Sequence, residues 1–336
     1  MAAAAGVVPS TVSRALSKPG RVNHVTRERI LKTAQRLGYT PNAAARSLRS
    51  GLAKMLLLLL PRWLSPIVSE TSRGVEQELV RRGYGLVVGH QSQIATTERH
   101  LFELARSGLV DGILNLSGNV TKRQSERYSI FDTGIPVVGL LLDLSRYKIP
   151  SVTTNDREAM YEATKHLLDL GHKRFFYVGG IAGNYHEVER RKGMSECLKN
   201  AGINSRDIAM CHGDFLLQSG TVAAEQFLSL RKRPSGVVCC NDFIAIGFMK
   251  RVRSAGVRIP EDVAVVGFDG IEYGEYCDPT LTTCKQPTLE LGKAGVRLLL
   301  DIIENKTESK ASRIVLDSKL VVRGSTVKAA LVPGQA

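Results

Sequence analysis

The sequence predicts a small all-helical head joined to a larger α/β body of two doubly wound parallel lobes. Three observations carry that prediction. Positive charge is concentrated at the front: residues 1–54 hold ten lysines and arginines against one acid, Glu28, which is +9 of the +14 carried by all 336 residues. In the same stretch, proline, glycine and apolar residues recur at helical spacing. After Lys54, short continuous apolar runs alternate with amphipathic segments, twice over, as parallel strands covered by helices on both faces require. At 43% hydrophobic residues the chain can bury substantial cores.

In the head, an Ala-rich short helix ends at Gly6, which marks a tight turn. Pro9 suits the first position of a new helix, because its fixed φ is helical and its missing N–H is not needed there. Val12, Ala15 and Leu16 form the inner stripe of that helix. Pro9, Ser10, Thr11, Ser13 and Arg14 are left outside. A helix, a tight turn and a second short helix presenting small polar residues and an arginine make a helix-turn-helix, whose second helix enters the major groove of DNA. A third helix is expected over 24–37, capped by Asn23 and closed by Gly38, with Ile30, Leu31, Ala34 and Leu37 inward. Thr40 and Pro41 then open a short Ala-rich helix that leaves Leu48 exposed between Arg46 and Arg49. A compact basic head is the footprint of a phosphate-backbone binder. The alternatives are a solvated basic face or a contact with anionic membrane, and the helix pattern argues against both.

In the body, the apolar run 55–60 reads as a strand buried on both faces, and 61–64 as a loop. Ser65 and Pro66 open a helix to about residue 82, which closes at Gly83. Strand 84–88, helix 97–107, strand 111–116, helix 122–132 and strand 136–141 complete a first lobe. Helix 157–170, strand 175–178, helix 187–201, strand 237–240, helix 243–255 and strand 263–267 repeat the pattern. The longest apolar run, 55–60, is far too short to cross a bilayer. The six cysteines have neither CxxC nor metal-ligand spacing, which suits a reduced cytosolic chain. No long apolar core follows the N-terminus, so no signal peptide is expected. The loop 179–183 is Gly-rich but lacks G-x-G-x-x-G spacing, and no nucleophile elbow, HExxH or metal cluster is present. The expectation is therefore a non-enzyme without cofactor or metal.

Ligands in folds of this class bind where the carboxyl ends of the strands meet. Asn241 and Asp269 each follow a buried strand at that end. Asp supplies two acceptors, Asn a donor and an acceptor, and Arg a fork onto oxygens, which suits a polyol. The plainer alternatives are a capping role for Asp269 and a surface charge for Arg190, which stands in the run 189–192.

Residues 5–16, 26–28, 38–42 and 45–48 resemble the headpiece of the lactose/galactose repressor (LacI/GalR) family. The stretches 240–242, 259–269 and 278–287 are similar to the body of that family, and the resemblance extends to about residue 326. It implies a periplasmic-binding-protein-like body behind the helix-turn-helix headpiece. Residue by residue, it makes Pro9, Ser10 and Arg14 base readers, and Thr11, Ser13 and Asn42 backbone contacts. Ala45 and Leu48 become a minor-groove pair, with Leu48 as the wedge of a hinge helix; plain surface charge for Arg14 and ordinary packing for Leu48 are the alternatives. In the cleft it assigns effector contacts to Arg190 (with Gly193), Phe215, Asn241, Asp269 and Gln286, and a wall position to Ile67, for which plain core is an equal alternative.

The resemblance implies a head over 1–50, a first lobe of 55–155 plus 285–312 and a second lobe of 156–284 plus 313–326. It further implies a cytoplasmic homodimer, with no tetramerising heptad beyond 326, on a pseudo-palindromic double-stranded DNA operator. Its effector would be a sugar, sugar acid, polyol or nucleoside. The rival is a secreted binding protein, which would share the body and need no head. Three departures stand out. The family carries further residues before Ala2, so a misassigned start is expected. Val8 replaces the usual Ser or Thr cap, at about 1 kcal/mol of helix stability. Where the family often brings an Asp to the cleft, the sequence reads Leu140-Leu141-Leu142-Asp143, which means either a shifted loop or a more apolar pocket.

Overall fold

The computed structural model describes residues 1–17, 19–39, 51–61, 65–90, 95–116, 133–204, 207–305 and 312–327. They fall into two compact units, Met1–Ala53 and Lys54–Ala336. In the first, a 3-10 turn over Ala3–Ala5 is closed by Gly6 at φ 61°. Helix α1 (Pro9–Ser17), a 3-10 turn at Pro19–Arg21 and helix α2 (His24–Arg36) follow. Ala5, Val12, Ala15 and Ile30 are buried at the centre, with Val7, Leu16 and Val22 packed on them. Asn23 caps α2, its Oδ1 accepting from the Val25 N–H at 3.0 Å. Leu31 and Leu37, expected inside, are exposed. Leu31 lies about 100° around the helix from Ile30, and Leu37 is already the C-cap residue. Thr33 is buried instead, its hydroxyl donating to the Arg29 carbonyl at 2.8 Å. Asn42, Ala45, Leu48 and the hinge helix expected there lie outside the described residues, as does the helix expected over 122–132.

In the second unit, two six-stranded sheets have matching order. The first runs β2–β1–β3–β4–β5–β11, all parallel: β2 (Gly85–His90), β1 (Met55–Leu60), β3 (Gly112–Asn115), β4 (Val137–Leu140), β5 (Ser151–Thr154) and β11 (Arg313–Leu316). The second runs β7–β6–β8–β9–β10–β12: β7 (Ile208–Cys211), β6 (Phe175–Val178), β8 (Gly236–Cys239), β9 (Ala264–Asp269), β10 (Thr282–Lys285) and an antiparallel edge strand β12 (Lys319–Val321). Helices α3 (Pro66–Arg82), α4 (Ala95–Arg106) and α9 (Thr288–Asn305) belong with the first sheet. Helices α5 (Asp156–Asp169), α6 (Tyr185–Asn200), α7 (Leu217–Ser229) and α8 (Asp242–Ser254) belong with the second.

The sequence placed residue 313 onward in the second lobe. Strand β11 instead pairs with β5, from Arg313 with Ser151 to Leu316 with Thr154, so the last crossing falls after Leu316. The three crossings are tied together. Asn155 donates from Nδ2 to Asp317 at 3.2 Å and accepts from the Ser318 N–H at 2.7 Å. The Thr154 hydroxyl lies 3.1 Å from Gln286 Oε1.

Three helix pairs approach closely because glycines face carbonyl groups. A Cβ on Gly74 of α3 would strike the carbonyl of Leu289 in α9. One on Gly193 of α6 would strike the carbonyl of Arg157 in α5, and one on Gly220 of α7 that of Ile244 in α8. The Gly193 contact matters for function, because it draws α6, and Arg190 one turn earlier, against the start of α5.

Candidate functional site

On α1 the residues expected to read DNA sit on the outer face. Pro9, Ser10 and Arg14 are exposed and Thr11 and Ser13 half-buried, while Val12 and Ala15 point into the small core. The period of the helix enforces that division. Val8, at the cap position, is exposed and brings no side-chain oxygen to the first turn; its carbonyl accepts from the Thr11 N–H at 2.9 Å.

In the body, a cleft of about 990 Å³, counting open solvent at its mouth, separates the two lobes. It lies at the carboxyl ends of the strands, where both sheets reverse their order. From the first lobe come Pro61 after β1, Leu116 after β3, and Leu140 and Leu141 closing β4; Ile67 comes from the first turn of α3. From the second come Asn241 after β8 and Asp269 ending β9, with Gln286 following β10 on the crossing. All six residues assigned to the effector from sequence, Ile67, Arg190, Phe215, Asn241, Asp269 and Gln286, line this one space. Ile67 also packs against the first-lobe core, so its two readings coexist.

The floor of the cleft is an ionic network. Arg190 is buried and holds three partners. Its Nη1 donates to the Cys240 carbonyl at 2.8 Å and meets Asp269 Oδ1 at 3.2 Å, while Nε is 3.4 Å from Asp156 Oδ2. Its guanidinium lies 3.8 Å above the centre of the Phe268 ring. His186 Nδ1 is 2.6 Å from Asp156 Oδ2, and the Thr154 hydroxyl 2.8 Å from Oδ1. Gln286 Nε2 donates to Asp269 at 2.7 Å. Burial alone would raise the Asp156 carboxyl, but Arg190, His186 and Thr154 outweigh it and hold it at about 2. Burial would likewise lower Arg190, and the two carboxylates reverse that, raising it above the ordinary arginine range. Asp269 moves the other way: burial raises it, and Arg190 and Gln286 offset only part of the rise.

A second carboxylate lies beneath the network. Asp242 is fully buried, accepting from the Thr283 hydroxyl at 2.6 Å and the Ile271 N–H at 2.9 Å. Burial, with Asp269 nearby, pushes it up to about 8. It fixes the turn after β9, where Asp269 stands at φ 119°. Phe215, across the cleft, stands at φ 70°. Non-glycine residues are strained in that region, so both are held there by their surroundings. Asn241 is both cap and lining: Oδ1 accepts from the Ile244 N–H and Nδ2 donates to the Phe215 carbonyl, each at 3.0 Å.

Sequence reasoning passed over Asp156, His186, Asn184 and Phe243. Asp156 reads as an acid in the first turn of a helix, and His186 stands alone, so no spacing marks either. The first-lobe alternatives resolve toward an apolar wall: Leu140 and Leu141 line the cleft, while Asp143 turns to Arg313 at 3.2 Å.

Known proteins share this arrangement. A model of the bacterial regulatory proteins of the lacI family matches residues 1–42, and one of the periplasmic binding protein-like domain matches residues 164–326. The chain is 32% identical over 336 residues to the HTH-type transcriptional repressor CytR of Escherichia coli (strain K12), covering 96% of this chain and 94% of that one. It is 32% identical over 326 residues to the HTH-type transcriptional repressor PurR of Vibrio atlanticus (strain LGP32), covering 96% of each. Among solved structures, the transcriptional regulator CelR in complex with cellobiose matches at 28% identity and TM-score 0.73, over 96% of this chain and 98% of that one. The Lac repressor dimer bound to operator and the anti-inducer ONPF shares the fold at TM-score 0.85 and 24% identity, over 97% of each chain.

Proposed function

The chain belongs to the lacI family of bacterial regulatory proteins and is a DNA-binding transcriptional regulator, not an enzyme; on that premise we propose which of its residues read DNA and which hold the effector. As a homodimer it binds operator DNA, and a small sugar-like or nucleoside-like effector between the lobes controls that binding. Pro9, Ser10 and Arg14 contact base edges and Thr11 and Ser13 the backbone, with Asn42, Ala45 and Leu48 completing the contact from the hinge. Arg190, Phe215, Asn241, Asp269 and Gln286 hold the effector, with Ile67 in the opposite wall. The head is 1–50. The first lobe is 55–155 with 285–316, and the second is 156–284 with the strand that follows Leu316. The protein works in the cytoplasm, where the chromosome is; among the described residues no helix is long and apolar enough to cross a membrane.

The observation that carries the cleft reading is the convergence of Arg190, Asn241, Asp269 and Gln286 on one space opposite an apolar wall. Such a site suits a ligand with hydroxyls on one side and carbon on the other. A ligand that binds only the folded state raises the melting temperature. A thermal-shift screen against sugars, sugar acids, polyols and nucleosides is therefore expected to give a hit that Asp269→Asn abolishes. A hit undisturbed by Asp269→Asn would move the effector elsewhere.

A further inference from the structure

We propose that the cleft continues outward into an aromatic subsite formed by Phe243 and Tyr273, and that the effector is a two-ring molecule whose outer ring stacks there. The proposal rests on the reading of the cleft as the effector site. It follows from how polar and apolar surface is divided along the second lobe. Deep in the cleft, Arg190, Asn241, Asp269 and Gln286 present oxygens and N–H groups. Toward the mouth the lining turns apolar. Leu216 lines the cleft yet is 47% exposed. Phe243, in the first turn of α8, lines it too, and its ring packs 6.3 Å from that of Tyr273, inclined by 38°. Tyr273 belongs to the 3-10 turn Glu272–Glu275, which follows Asp269 closely, and it is 61% exposed.

The chain thus passes directly from the polar floor at Asp269 to an uncovered aromatic ring. Hydroxyls satisfied by the floor would gain nothing from this rim. A second ring attached to the first, with an apolar face of its own, would cover it and remove that surface from water. Size agrees. A space of about 990 Å³ stands at the upper end of the roughly 300–1,000 Å³ usual for small-molecule pockets, more than a single sugar ring needs.

The test is calorimetric titration of the full-length protein with matched pairs: methyl β-glucoside against phenyl β-glucoside, and ribose against uridine. In a pair that binds, the two-ring member should bind more tightly. Tyr273→Ala should weaken that member by about 2- to 12-fold, the range of one aromatic contact, and leave its one-ring partner unchanged. Tyr273→Phe should restore the wild-type ratio, since the ring and not the hydroxyl does the stacking. Equal loss on both members, or no loss on the two-ring member, would overturn the subsite while leaving the cleft reading intact. Failure of every pair to bind would overturn both.

Discussion

Arg190 brings a full charge into a site where its side chain is only 4% exposed, and Asp156 and Asp269 on either side make that tolerable. Removing one partner of a buried ion group leaves the others uncompensated. Arg190→Ala is therefore expected to destabilise the body by about 3–5 kcal/mol, read as a lower urea midpoint at unchanged slope. A loss below about 1 kcal/mol would mean that water reaches the carboxylates and screens them. Asp242 predicts a pH effect of the opposite kind from Asp156. Its folded value of about 8 lies above the ordinary aspartate value of about 4, so between those limits the folded state holds a proton that the unfolded state has released. Stability from this group is present at low pH and is lost as pH rises through 8. Denaturation at pH 5 to 8 should show wild type losing up to about 1.4 kcal/mol per pH unit relative to Asp242→Asn; parallel profiles would contradict it. Legibility at this scale followed chemistry in known positions. Asp269 and Asn241 could be read because each ends a recognisable apolar strand. Asp156 could not, because its partners lie 30 and 34 positions along the chain.

At the scale of elements, the strands that could be read were the apolar ones. The 55–60 run is β1 as expected, and 175–178 is β6. Strand β5 gave no signal, because Ser151, Thr153 and Thr154 look like loop residues. All three are nevertheless buried, with their hydroxyls satisfied: Ser151 accepts from the Leu144 N–H at 3.0 Å, and Thr153 from Arg313 at 3.0 Å. Strand β11 was assigned to the wrong lobe for a related reason: it is an exposed edge strand whose register is set only by β5. Glycine was legible as punctuation but not as packing. Gly193, read from sequence as the partner of Arg190, lets α6 lie on the backbone of α5. Gly193→Ala should push the two helices apart, lengthen the Arg190–Asp156 pair and lower stability by about 1–3 kcal/mol, the usual range for overpacking. It should also weaken effector binding more than Gly256→Ala, a change at an open turn with φ 81°. Equal effects on binding would show that the helix approach does not set the position of Arg190.

At the scale of the molecule, the two lobes are joined by crossings that Thr154, Asn155, Gln286 and Asp317 knit together beside the cleft. A ligand held from both sides changes the balance between lobe arrangements, but only by its difference in affinity for them. Two-lobed architecture and the basic head could both be read from the chain, because each rests on periodicity and charge. The coupling between them could not, because it belongs to an equilibrium between states. The most direct test takes a duplex selected from a random pool by the full-length protein and measures its affinity by fluorescence anisotropy. The measurement is made with and without the cleft ligand found by thermal shift, in wild type and Asp269→Asn. Duplex affinity should fall steeply with salt. Saturating ligand should change it by at least about fivefold in wild type, and not at all in Asp269→Asn, which should keep its grip on DNA. An affinity that stays the same with the cleft filled would contradict the central claim that this is a ligand-controlled DNA-binding regulator.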